Sequence, residues 1–136
     1  MSLPAIRRAF ERYLGLISTG IATAYQNDDF TPNLGSPYQR ADLLSNTPDN
    51  QEMGSRSYKE RGLFQITLAY PYGKGSGAAD ARAQIIRLHF KRGLTLVEQG
   101  LLINVIKTPR VAPAMIEEGR YVLPITIEWE CHVDVI

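Results

Sequence analysis

From Arg120 to Val135 the residues alternate with a period of two. Tyr121, Leu123, Ile125, Ile127, Trp129, Cys131, Val133 and Val135 hold the odd positions, and Val122, Pro124, Thr126, Glu128, Glu130, His132 and Asp134 the even ones. Successive side chains of an extended chain point to opposite sides, so this pattern specifies a long antiparallel strand with one buried face. A proline cannot donate to a sheet ladder, so Pro124 predicts a sheet edge or a bulge near the start of the strand.

Shorter segments supply the partners of that strand. Tyr38–Leu44 reads as a strand, and Gly62–Tyr70 alternates Phe64, Ile66, Leu68 and Tyr70 against Gln65, Thr67 and Ala69, with Pro71 ending its ladder. Leu94–Val97, Leu101–Ile106 and Val111–Ile116 follow, with turns at Glu98–Gly100 and Glu117–Gly119. Two helices complete the set. Ser2 is placed to cap the first, with Pro4 in its opening turn, and Ile6, Phe10, Tyr13, Leu14 and Ile17 form its apolar stripe up to a stop at about Thr19, ahead of Gly20. The second spans Ala79–Arg92, with Ala79, Ala83, Ile86 and Phe90 on one side and Ala81, Ile85 and Leu88 on another. A surface helix needs a single apolar stripe, so this helix is either well buried or packs against its own sheet and something else. Gln26–Pro37 is turn chemistry and predicts an ordered loop; Ser45–Ser57 is polar, carries Pro and Gly, and is the candidate mobile arm. The sum is an α+β domain spanning 1–136, a mostly antiparallel sheet with two helices packed on it.

Composition narrows the functional classes. A chain of 136 residues has room for one domain with its own core. Fifteen basic and fourteen acidic residues give a net charge of +1, without the basic excess that marks most nucleic-acid-binding domains. No apolar run nears the ~20 residues of a membrane span, and the amphipathic start containing Arg7 and Arg8 is unlike a signal peptide; a soluble, unprocessed protein is expected. The lone Cys131 can form no internal disulfide, which fits a reducing compartment.

Catalytic signatures are weak. Gly73-Lys74-Gly75-Ser76-Gly77 precedes a helix, where backbone N–H groups suit an anion, but its spacing departs from the phosphate-loop pattern and it reads as a flexible connection. Glu128, Glu130, His132 and Asp134 share one strand face, yet neighbours there lie ~7 Å apart, too far for one strand to close a metal shell. Cys131 and His132 project to opposite faces and His89 has no evident partner, so no enzyme, cofactor or metal is expected. The charges are segregated instead: Arg82, Arg87, Lys91 and Arg92 outweigh Asp80 on the second helix, while Glu117, Glu118, Glu128, Glu130 and Asp134 outweigh Arg120 near the end. These are either two solvated faces or complementary surfaces for head-to-tail association; in the second case Arg82, Arg87, Lys91, Arg92, Glu128, Glu130 and Asp134 are the interface candidates.

The order of motifs resembles one family. Asn27-x-x-Phe30-Thr31-Pro32, Gly35-x-Pro37-Tyr38-x-Arg40-Ala41-x-Leu43-Leu44, Pro48 and Gly54 resemble the opening half of the siphophage tail terminators of the lambda type. Gly62-Leu63-Phe64-Gln65-Ile66, Tyr70-Pro71-x-Gly73-x-Gly75, His89-Phe90 and Tyr121-Val122-Leu123-Pro124-Ile125 continue the resemblance, which covers roughly Pro4 to Val133. It implies a tail-terminator-like α+β fold and a structural role in the virion tail after assembly in the host cytoplasm. It also implies a homo-oligomeric, hexameric ring on the completed tail tube, with the major tail tube protein and a head–tail connector or neck protein as partners. Asn50, Arg56, Tyr58, Tyr72 and Lys74, in or beside the exposed loops, are the candidates for tube or neck contact. The alternatives are a neck or head–tail completion protein and a small phosphate- or ligand-binding domain using Gly73–Gly77.

Overall fold

A computed structural model describes residues 2–27, 29–32, 35–46, 48, 57–73 and 75–134. The order is α1 (Ser2–Gly15), β1 (Ala22–Tyr25), β2 (Tyr38–Ser45), β3 (Ser57–Pro71), α2 (Gly77–His89), β4 (Thr95–Glu98), β5 (Leu101–Val105), β6 (Arg110–Val111), β7 (Met115–Glu117) and β8 (Arg120–Asp134). All eight strands form one sheet in the order β1-β2-β3-β8-β5-β4, with β6 and β7 also paired to β8. The pairings are antiparallel except β1 with β2. The α+β expectation therefore holds, with two helices on a mostly antiparallel sheet.

The alternating segment is the axis of this sheet. Its odd residues from Leu123 to Val133 are buried, with Ile125, Ile127, Trp129 and Cys131 fully so. Against β3 the register runs unbroken from Ser57↔Asp134 to Pro71↔Arg120. Pro71 thus pairs within the ladder, β3 begins five residues ahead of the predicted Gly62, and no bulge interrupts the pairing. Nor is Pro124 at an edge, since β8 is flanked on both sides. The Pro124 carbonyl accepts a 2.9 Å hydrogen bond from the Ala112 N–H, so its nitrogen faces the same side. On that side the register shifts by one residue between β6 and β7, with residues 112–114 set against only Pro124 and Leu123, so the missing donor falls at a bulge in the partner, the bulge that Pro124 predicts. The predicted strand Val111–Ile116 is broken into β6 and β7 at this point, around Pro113.

Both helices cover the odd face of β8. Phe10 of α1 stacks on Phe64 at 4.8 Å between centroids and lies 6.0 Å from Trp129 and 6.2 Å from Phe90. Ala79, Ala83 and Ile86 of α2 are buried in the same cluster. Gly62 is required beneath the indole: a Cβ there would collide with the Leu44 carbonyl oxygen and come within 2.7 Å of Trp129 Cζ2. Helix α1 stops at Gly15, four residues before the expected Thr19. Leu16 and Ile17 tighten into N–H bonds to the carbonyls of Tyr13 and Leu14, and Ser18 Oγ donates to Leu14 O at 2.8 Å. Helix α2 begins two residues before Ala79 and ends at His89 rather than Arg92, where Phe90 leaves helical geometry at ψ 49°.

The first helix also joins the sheet's two edge strands. Arg12 meets the buried Glu98 of β4 at 2.9 Å and Arg8 reaches it at 3.7 Å, while Arg7 donates to Gln26 Oε1, just after β1, at 2.6 Å. Gln26 Oε1 also accepts from the Leu43 N–H at 2.9 Å. Buried Gln39 ties the intervening turn down, donating to Ser18 Oγ at 3.1 Å and Thr23 Oγ1 at 3.0 Å. The strand β1 was not foreseen: four residues between a glycine turn and a polar loop carry too short a pattern.

Candidate functional site

The sheet face opposite the helices is open. It presents Arg40 and Asp42 from β2, Lys59, Arg61 and Gln65 from β3, Asn104 from β5 and Glu128 and Glu130 from β8, in register as Arg40↔Thr67, Asp42↔Gln65, Arg61↔Glu130 and Asn104↔Glu130. At one end Tyr38, Arg40, Asp42, Glu117 and Arg120 wall a concavity of about 320 Å³. The Arg120 guanidinium lies 5.0 Å from the Tyr38 ring centroid and donates to the Ser36 carbonyl at 2.9 Å, which fixes that wall.

Each candidate acid lies on this face beside a base, one from β3, one from the segment after β5 and one from β8 itself. Glu130 is 3.8 Å from Lys59, Glu128 is 3.5 Å from Lys107 and Asp134 is 3.4 Å from His132. The acidic strip read from one strand is therefore a mixed-charge surface. Of the candidate bases, Arg82 is half-buried and donates to the Ile17 carbonyl, and Arg87 Nε donates to the Pro109 carbonyl at 3.2 Å. Burial pulls the Arg82 pKa down, opposed by the nearby Tyr70. These two arginines bind α2 to its own chain, whereas Lys91 and Arg92 are exposed beyond the helix end.

Helix α2 has the second apolar side that its sequence predicts. Ala81 is exposed, Ile85 is 46% exposed and Leu88 65%, on the side away from the buried Ala79, Ala83 and Ile86. On the open face of the sheet Val97 and Leu102 stand directly opposite each other across β4 and β5, 64% and 55% exposed. That second pair was missed, although it can be counted outward from the turn. Gln99 and Gly100 both have positive φ, the geometry of a two-residue hairpin loop, which makes Glu98↔Leu101 the first pair and Val97↔Leu102 the next.

Among the candidate contact residues, Tyr58 is half-buried against the core and Tyr72 is exposed past the end of β3. Asn50, Arg56, Lys74 and most of the candidate arm at 45–57 lie outside the described residues. Cys131 and His89, which the sequence raises as candidates for chemistry, are each held within the fold. Cys131 is fully buried, and burial, reinforced by Glu60, pushes its thiol up to about 11, so it is not a nucleophile at neutral pH. His89 stacks on Tyr13 at 3.8 Å and its Nε2 lies 2.7 Å from the Tyr13 carbonyl, a structural role. Among the described residues no group of three His, Cys, Asp or Glu side chains could hold a metal ion, and no helix is long and apolar enough to cross a membrane.

Residues 5–129 match the family model described as phage tail terminator protein. The chain belongs to the phage tail terminator family. A solved structure with 27% sequence identity covers 96% of this chain and 96% of its own length at a TM-score of 0.80. A comparison with curated proteins finds no match. Membership of the terminator family makes this a structural component of phage tail assembly and places it with the virion tail. It also implies contact with other tail or head components.

Proposed function

We propose that this chain assembles into a hexameric ring on the end of a completed tail tube, stops further addition of tube subunits and offers the surface to which the head's connector or neck docks. The observation that carries the reading is the family match across residues 5–129. One side of the ring fits the open end of the tube; the other lacks the surface that a tube subunit presents to the next, so growth halts without chemistry or cofactor. An open polar sheet face and separate apolar patches on different sides support it, because a ring subunit touches neighbours on two unlike surfaces. Mixed charge on those surfaces favours orientation and specificity over raw affinity, so ring formation is expected to be concentration-dependent in solution and stronger on the tube.

The test is electron microscopy of the purified protein, alone and added to growing tail tubes. Rings, together with arrest of tube length, are expected. Absence of both overturns the proposal, and binding to isolated connectors with none to tubes would move the chain to the neck.

A further inference from the structure

Two of the exposed apolar patches, one on α2 and one on β4 and β5, point in opposite directions, and their spacings match. Helix α2 packs by Ala79, Ala83 and Ile86 on the helix-covered face of the sheet, so Ile85 and Leu88 look away from it. Val97 and Leu102 project from the other face of the same sheet, since their neighbours Leu96 and Ile103 are buried on the helix side. Along a helix, residues three or four apart lie about 5–6 Å from each other. Across a sheet, adjacent strands lie about 4.8 Å apart. A helix laid crosswise on the open face would thus set Ile85 over Val97 on β4 and Leu88 over Leu102 on β5. The next step reaches β8, where the register that pairs Ile103 with Cys131 sets His132 beside Leu102 and leaves Glu130 and Asp134 on either side of it on the open face, and the exposed cations Lys91 and Arg92 follow just past the end of the helix.

We propose that the outward stripe of α2 from one copy docks across the Val97–Leu102 ladder of the next, with Lys91 and Arg92 set against Glu130 and Asp134. This rests on the ring reading and gives it a subunit contact. The second copy is the occupant because apolar area meets apolar area and the cations past the helix end fall on a strand whose open face carries the carboxylates Glu130 and Asp134 on either side of His132. The two carboxylates already touch Lys59 and His132, but each has two oxygens and accepts further donors. As the two patches lie on opposite faces, they cannot satisfy each other in a two-fold dimer. The contact is head-to-tail, and it closes only if each step turns by the same fraction of a circle.

Single cysteines test it in the full chain, at Leu88→Cys and Leu102→Cys, since native Cys131 is buried and its thiol stays protonated. Under mild oxidation, each variant alone is expected to stay unlinked, their mixture to give a cross-linked dimer, and the double variant a ladder ending at the ring. Dimers from Leu88→Cys alone would mean a symmetric helix-to-helix contact and overturn the proposal. Rings in the microscope without cross-links in the mixture would overturn this contact and leave the ring reading standing. No rings and no tube arrest would overturn both. A charge exchange provides the independent check: Arg92→Glu should weaken association about tenfold in low salt, and adding Asp134→Arg should restore it. If Arg92→Glu has no effect, or Asp134→Arg restores nothing, the polar half of the contact is wrong.

Discussion

Helix α1 turns Ile6, Phe10 and Leu14 into the core and spends its arginines within the molecule, on Glu98 at one edge of the sheet and Gln26 at the other. Helix α2 packs on the same side with a shorter buried stripe, yet holds Ile85 and Leu88 out in solvent and leaves Lys91 and Arg92 exposed. The contrast separates two uses of amphipathic pattern. A helix whose arginines find partners in its own chain completes a fold; one with a second apolar side has been left something to cover.

That contrast can be broken at several points. The largest effect is expected for Phe10→Ala, which empties the ring stack between α1, Phe64 and Trp129 and should cost about 3–5 kcal/mol in a denaturant titration. Gly62→Ala, which forces a methyl toward the Leu44 carbonyl and the indole, should cost about 1–3 kcal/mol, read as a lowered midpoint at unchanged slope. Glu98→Gln releases Arg8 and Arg12 and should cost about 1 kcal/mol at low salt, with the difference from the parent shrinking as salt rises. If Glu98→Gln is silent at low salt, the link from α1 to β4 does not hold the helix.

Glu60 offers a smaller, pH-dependent test. Its carboxyl is buried on β3, and desolvation raises its pKa above the ordinary 4.5. The folded state therefore holds the proton more tightly than the unfolded chain does. Stability from this group is full below pH 4.5 and is lost as pH rises through the raised value. Glu60→Gln should accordingly stabilise the protein by about 0.5 kcal/mol at neutral pH, with the advantage fading in acid, as followed by thermal melts across pH. Smallest of all, Leu88→Glu should leave monomer stability within about 0.5 kcal/mol, since the side chain is 65% exposed, while reducing self-association. A large loss of stability there would return α2 to the same class as α1.

Much of the fold was legible because its signals are local. The odd face of β8, the period of β3, both helices and the two tight turns are properties of neighbouring residues. Pro124 signalled an edge or a bulge, and it is the bulge that stands beside it, but on the partner between β6 and β7, residues ten or more positions away that the proline alone does not point to. The outward stripe of α2 is readable in the sequence as Ala81, Ile85 and Leu88. What surrounds the β8 acids is not, because Lys59 and Lys107 reach Glu130 and Glu128 only through strand pairing. A charge pattern along one strand describes half of a surface; the sheet supplies the rest.

The clasp made by α1 also orders events in time. Arg12 and Glu98 are 86 positions apart, and Phe10 waits for Trp129, which comes later still. Contacts so distant in sequence form slowly, and on a nascent chain the first must wait until β4 has left the ribosome and the second until β8 has. The helix that precedes every strand is thus secured in full only after the last of them is made, although its contacts with Gln26 and Phe64 become available earlier.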